Sequence, residues 1–391
     1  VLNTPFSPWP SYSQEEADKA AEVILSNRVN YWTGGECREF EKEFAAWCEC
    51  DYAVAVTNGT VALDLALKAL NIGAGDEVIT TSRTFLASAS SIVTAGATPV
   101  FADVDLDTQN VSADTIKAVL TERTKAVIVV HLAGMPAEMD AIMALAEQHG
   151  FYVIEDCAQA HGCRYKGRPV GSIGHIGAWS FCQDKIMTTA GEGGMVTTND
   201  KALWAAMWSY KDHGKSHAAV YEKAHPPGFR WLHESFGTNW RMTEVQGAIG
   251  RIQLRRMADW QARRTANAER LVNTASEFAL IRSIPVPDYV THAWYKCYLF
   301  IEPSQLAPGW NRDRIVAAIN DAGVPCMQGS CSEVYNEKAF DGTGWRPAAP
   351  LANAVRLGET SLMFLVHPTL TEAEMDTSCE VLRRVLTQAQ R

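Results

Sequence analysis

The stretch Tyr52–Thr81 reads YAVAVTNGTVALDLALKALNIGAGDEVITT. YAVAV (Tyr52–Val56) is a short apolar run that predicts a buried strand. TVALDLALKAL (Thr60–Leu70) sets leucines and alanines at helical spacing, and GDEVITT (Gly75–Thr81) enters a second strand. Apolar strands alternating with helices are what a parallel, doubly covered sheet requires, because a strand buried on both faces has no polar side to show.

Outward from this unit the alternation holds. Helices are predicted over Glu39–Cys48, Ala87–Thr94, Ser112–Leu120 and Met139–His149. Strands are predicted over Thr98–Val104, Ala126–Leu132, Tyr152–Cys157 and Gly177–Cys182. A long basic helix (Val245–Leu271) then marks a change of texture. Beyond it, strand Trp294–Glu302 and helices Arg312–Gly323 and Glu372–Thr387 read as a smaller α/β lobe. We expect a large domain over residues 1–255 and a small C-terminal domain over 256–391.

The 391 residues are 47% hydrophobic, enough for two cores, and carry a formal net charge of -10. That balance argues against a broad nucleic-acid or membrane surface while leaving room for a local basic pocket. The ten cysteines are scattered and form no CxxC pair, so neither a zinc site nor a disulfide framework is indicated. The opening VLNTPFSPWPSYS has no basic or apolar leader pattern, and no apolar run is long enough to span a bilayer. A cytoplasmic protein without a metal is the expectation.

Three polar pieces interrupt the apolar pattern. The turn Thr57–Thr60 opens a helix whose free N–H groups can bind a phosphate. Asp156, in EDCAQAHG (Glu155–Gly162), stands at the end of a strand, where open α/β sheets bind ligands. Lys185 precedes the glycines of DKIMTTAGEGGMV (Asp184–Val196), which allow backbone close to a ligand. A phosphate seat, an aspartate for a pyridinium nitrogen and a lysine for a Schiff base together describe a pyridoxal phosphate (PLP) site.

With those residues in place, the chain resembles the DegT/DnrJ/EryC1/StrS family of sugar aminotransferases, a branch of the fold-type I PLP enzymes. The resemblance rests on TNGTVALDLAL, on GAGDEVITTSRTFLASASSIVTAGATPVFADVD and on EDCAQAHGCRYKGRPVGSIGHIGAWSF. It continues through DKIMTTAGEGGMV and GTNWRMTEVQGAIGRIQL, covering most of residues 30–260 in order and thinning after 300. It implies a large domain with a mostly parallel seven-stranded sheet between helices, plus a smaller C-terminal α/β domain.

By the same resemblance, Lys185 carries PLP covalently, Asp156 pairs with its ring nitrogen, Phe85 stacks on the ring and Gln159 contacts its face or phenolic oxygen. Gly59, Thr60 and Ser180 hold the phosphate, and Asn239 reaches it from a second subunit of a homodimer with shared sites. The implied reaction moves an amino group, with L-glutamate as donor, onto a nucleotide-linked ketosugar of 4-keto-6-deoxy type. Alternatives are a 3-ketosugar acceptor, a PLP-dependent sugar dehydratase and a PLP-binding regulator; Lys185 argues against the dehydratase, which replaces that lysine. His161, Arg230, Arg241 and Lys211 are the candidates for holding the anionic substrate. Two segments depart from the family pattern. Gly323–Tyr335 lacks a His-Tyr pair that helps hold the sugar, and His217–Phe236 is longer than usual.

Overall fold

The computed structural model describes residues 6–391; the first five residues of the opening segment lie outside the described chain. Helices α1 (Gln14–Leu25) and α2 (Glu36–Trp47) lead into β1 (Tyr52–Val56), α3 (Gly59–Ala69), β2 (Glu77–Thr81), α4 (Ala87–Thr94) and β3 (Thr98–Ala102). Then follow α5 (Ala113–Lys117), β4 (Thr124–Val130), α6 (Met139–His149), β5 (Tyr152–Asp156) and a small hairpin of β6 (Arg164–Tyr165) and β7 (Arg168–Pro169). Strands β8 (Ile176–Ser180) and β9 (Gly194–Thr198) complete the first half, followed by α7 (Lys201–Tyr210), α8 (His217–Tyr221) and α9 (Glu244–Ala275).

Seven of these strands form one sheet in the order β1-β9-β8-β5-β4-β2-β3. The pairings from β8 through β3 are parallel, and β9 alone runs against its neighbours β8 and β1. Successive side chains point to opposite faces of a strand, and the cores divide accordingly. Ala126, Ile128, Ile154, Ile176 and Ala178 join Leu63, Ala66 and Ile92 of α3 and α4 on one face. Val127, Val129 and Val153 join Ile142 and Leu145 of α6 on the other. The same parity carries Asp156 and Ser180 toward the α3–α4 face.

The second half holds β10 (Ile281–Ser283), β11 (Val290–Thr291), β12 (Cys297–Ile301), α10 (Arg312–Asp321), β13 (Cys326–Met327), α11 (Ala352–Thr360), β14 (Ser361–Phe364) and α12 (Glu372–Ala389). Four of the strands form an antiparallel sheet, β10-β12-β14-β13. Helix α9 starts in a capping box, with Thr243 Oγ1 accepting the Gln246 N–H and the Gln246 side chain accepting the Thr243 N–H. It gives Leu254 and Met257 to the core of the first half. Further along, it gives Ala268, Leu271 and Ala275 to the core of the second. No helix among the described residues is long and apolar enough to cross a membrane. All ten cysteines are free.

Candidate active site

Four loops meet at the ends of β1, β2, β5 and β8. In the first, Asn58 caps α3: its side-chain oxygen accepts the Val61 N–H at 2.9 Å. A first helical turn has no internal partners for its leading amides, so the N–H groups of Gly59 and Thr60 remain on offer. Ser180 ends β8 against this turn. A Cβ added to Gly59 would stand 2.5 Å from Ser180 Cβ, so only glycine lets the helix start this close to the strand.

Asp156 ends β5 and is buried. Its carboxylate accepts from Ser88 Oγ at 2.8 Å and from the Ala158 N–H at 3.2 Å. Burial raises its pKa, with Ser88, Ala158 and the charge of Lys185 pulling the other way. This is a carboxylate short of a cation. Ser88 belongs to the first turn of α4, and its N–H donates to the Phe85 carbonyl at 3.2 Å. Phe85 itself is 71% exposed, an aromatic face with nothing laid on it.

Gln159 uses its side-chain oxygen to accept the Ala133 N–H at 2.7 Å. Ala133 stands at φ 57°, and its carbonyl accepts the Tyr295 N–H at 2.9 Å. The loop after β4 is thereby tied both to the β5 loop and to the second half of the chain. Lys185, half-buried, is fastened by its main chain, with Trp9 Nε1 donating to its carbonyl at 2.8 Å. Its Nζ has no hydrogen-bond partner among the described residues and lies 5.1 Å from the Tyr295 ring centroid. The Tyr295 hydroxyl donates to Asp184.

Asn239 is exposed, beside Trp240, whose carbonyl accepts the Thr57 N–H of the phosphate turn at 3.1 Å. Arg241 bridges β1 at Val56 and donates to Asp212 at 2.8 Å. Arg230 is exposed in the connection between α8 and α9, between Phe229 and Trp231, and joins none of these groups.

Two substrate candidates need correction. His161 is fully buried, its ring 5.3 Å from that of Trp179 and 5.7 Å from that of Phe181, with neither nitrogen hydrogen-bonded. Burial, followed by the charge of Lys185, pushes its pKa down to about 3, so it is a neutral packing residue. Lys211 is also fully buried, its Nζ 3.5 Å from the Tyr31 centroid and 3.6 Å from a Glu41 oxygen. Burial lowers its pKa against the pull of Glu41 and Asp212, and the side chain is not exposed on the surface.

Sequence reasoning passed over Asn58 as a cap, Ser88 as the Asp156 partner and the pair Tyr295–Lys296. The signals were present: a serine three positions after Phe85, and a lysine inside the apolar run WYKCYLFIE. The divergent Gly323–Tyr335 segment docks beside Phe85. Arg83 Nη1 donates to Ser332 Oγ at 2.8 Å, and the Val334 N–H donates to the Ser82 carbonyl at 2.9 Å.

A PLP-sized cofactor fits this set. There are free amides behind a glycine that tolerates no Cβ, an uncovered aromatic face, a buried carboxylate lacking a cation, and a lysine amine without a partner. Comparison with known proteins agrees. The profile of the DegT/DnrJ/EryC1/StrS aminotransferase family matches residues 10–383. The spore coat polysaccharide biosynthesis protein SpsC of Bacillus subtilis is 35% identical over 377 residues, 96% of each chain. GDP-perosamine synthase of Escherichia coli O157:H7 is 41% identical over 260 residues, 66% of this chain and 68% of that one. The X-ray structure of the aminotransferase from Psychrobacter cryohalolentis has a TM-score of 0.97 at 62% identity, covering 98% of this chain and 99% of that one. The chain belongs to the DegT/DnrJ/EryC1/StrS aminotransferase family, and its cofactor is pyridoxal phosphate.

Proposed function

We propose that this aminotransferase moves the amino group of L-glutamate to the ketone of a nucleotide-linked 4-keto-6-deoxy sugar, working as a homodimer. The observation that carries the reading is the placing of Asp156, Phe85, Gly59 and Lys185 in the loops at the ends of β5, β2, β1 and β8 of one sheet. GDP-perosamine synthase among the relatives supports a nucleotide-linked acceptor. SpsC supports a place in making surface polysaccharide.

PLP, when bound, supplies a carbonyl that exchanges amines and a ring that takes up electrons as a proton departs. The protein's residues do the rest. Gly59 and Thr60 N–H groups and the Ser180 hydroxyl bind the phosphate, with the helix dipole assisting. Asp156 keeps a proton on the ring nitrogen, the cation its buried carboxylate lacks. Phe85 covers one ring face and excludes water there. Lys185 would hold the cofactor through its Nζ, and the same amine would take the proton from the donor's α-carbon. Gln159, its oxygen committed to Ala133, would contact the cofactor's face or phenolic oxygen through its amide nitrogen.

The homodimer reading is supported by aromatic surface on the long connection before α9. Phe229, Trp231 and Phe236 are 77%, 82% and 98% exposed. Phe229 and Trp231 pack edge to face with centroids 5.3 Å apart, and an exposed apolar patch of this kind marks an interaction surface. A panel of GDP-, dTDP- and UDP-linked 4-keto and 3-keto sugars, offered with [15N]glutamate, tests the function. A 15N-labelled 4-amino sugar is expected; label appearing only in 3-amino products, or in none, overturns the acceptor assigned here.

A further inference from the structure

Lys185 has a second lysine for company. Lys296 Nζ lies 4.7 Å from the centroid of the Tyr295 ring, the same ring that Lys185 Nζ approaches at 5.1 Å. Among the described residues Lys296 makes no hydrogen bond or salt bridge, and it is half-buried. Behind it stands Arg264 of α9, 1% exposed. Arg264 reaches the Trp294 and Tyr295 carbonyls only at 3.4 Å, and its Nε and Nη2 have no partner.

The charges here do not balance. The cations are Lys185, Lys296 and Arg264; Asp156 draws on Lys185 alone, and the carboxylate that acts on Lys296 is Asp184, already bonded by the Tyr295 hydroxyl. His367, near Arg264 and Lys296, is neutral, because burial pushes its pKa down to about 3. When Lys185 spends its charge in holding the cofactor, two cations still face one anion. Burial pushes Lys296 down to about 8 and Arg264 down to about 9, so an added anion would relieve both.

We infer that Lys296, backed by Arg264, is the receptor for a carboxylate of the amino donor. The donor's amine replaces that of Lys185, so its α- and side-chain carboxylates are carried to within a few bonds of the position Lys185 occupied. The diphosphate of a nucleotide sugar is attached at the anomeric carbon and is held away from the reacting ketone by the sugar ring. An anion site one tyrosine ring from Lys185 therefore suits the donor. The inference rests on the transamination chemistry and is independent of which sugar accepts the amine.

The test is the donor half-reaction of the holoenzyme, followed by the change in cofactor absorbance with no sugar present. L-Glutamate, L-glutamine and L-alanine are compared in wild type, Lys296→Met and Lys296→Arg. Loss of a charged contact should raise the half-saturating glutamate concentration of Lys296→Met by roughly tenfold to a hundredfold. The limiting rate should change far less, and Lys296→Arg should restore most of the affinity. Weakening confined to glutamate identifies the side-chain carboxylate; equal weakening of all three identifies the α-carboxylate. Binding of glutarate, which has no amine, reports on the side-chain case by calorimetry without turnover. Unchanged half-saturation for every donor in Lys296→Met overturns the inference, as does failure of Lys296→Arg to differ from Lys296→Met. Wild-type enzyme that converts glutamate but aminates no sugar refutes the acceptor reading and leaves this one standing.

Discussion

Asp156 is a carboxylate in a place that disfavours carboxylates. Burial raises its pKa, and two hydrogen bonds and the charge of Lys185 only partly offset this. A carboxyl whose folded pKa lies above its unfolded value contributes stability below the unfolded pKa. That contribution is lost as pH rises through the folded pKa. The cofactor-free protein should therefore lose stability from this group as pH rises out of the carboxylate range, and Asp156→Asn should remove that loss. Melting of the two apo proteins from pH 4 to pH 8 checks this; identical pH dependence would count against it. In the holoenzyme the sign reverses, because the ring nitrogen's proton matches the anion. Asp156→Asn should slow the glutamate half-reaction by at least about tenfold, equivalent to roughly 1.4 kcal/mol. His161 and Lys211 show the limit of reading at this scale. Their residue types suited an anion site, yet both are fully buried, and local sequence does not say which way a loop residue turns.

Among the elements, what was legible follows from burial. β1, α4 and α6 fall where their apolar patterns put them, because strands covered on both faces and helices with one apolar stripe show it in their composition. β9 escaped the reading: GMVTT follows a glycine-rich loop, and its reversed direction comes from pairing with β8 and β1. Asp156 and Lys185 were legible because each interrupts an apolar pattern at a strand end. Tyr295–Lys296 was not, since only the docking of the second half brings it beside Lys185. The close approach of α3 to β8 carries its own prediction. Gly59→Ala places a Cβ 2.5 Å from Ser180 Cβ and 3.0 Å from its Cα, so the helix start must shift. We expect a destabilisation of about 1–3 kcal/mol together with weaker PLP binding in a titration of the apoprotein. Wild-type affinity in that variant would mean that the phosphate sits elsewhere.

For the whole molecule the open matter is whose phosphate Asn239 serves. Its segment lies along β1 of its own chain, since the Trp240 carbonyl accepts the Thr57 N–H, yet Asn239 is exposed. If it serves a partner, Lys185→Ala and Asn239→Asp homodimers should each be nearly inactive. A mixed dimer then holds one site with both lesions and one with neither, and subunit exchange should restore up to half the wild-type activity per mixed dimer. No recovery, with exchange confirmed by mass spectrometry, places Asn239 in its own chain's site. The central claim, that one lysine holds the cofactor and does the chemistry, has a more direct check. Borohydride reduction of the holoenzyme fixes the cofactor to whichever amine carries it, and peptide mass mapping then names the residue. The phosphopyridoxyl group should be found on Lys185; finding it on Lys296 or another lysine, or on none, would contradict the account.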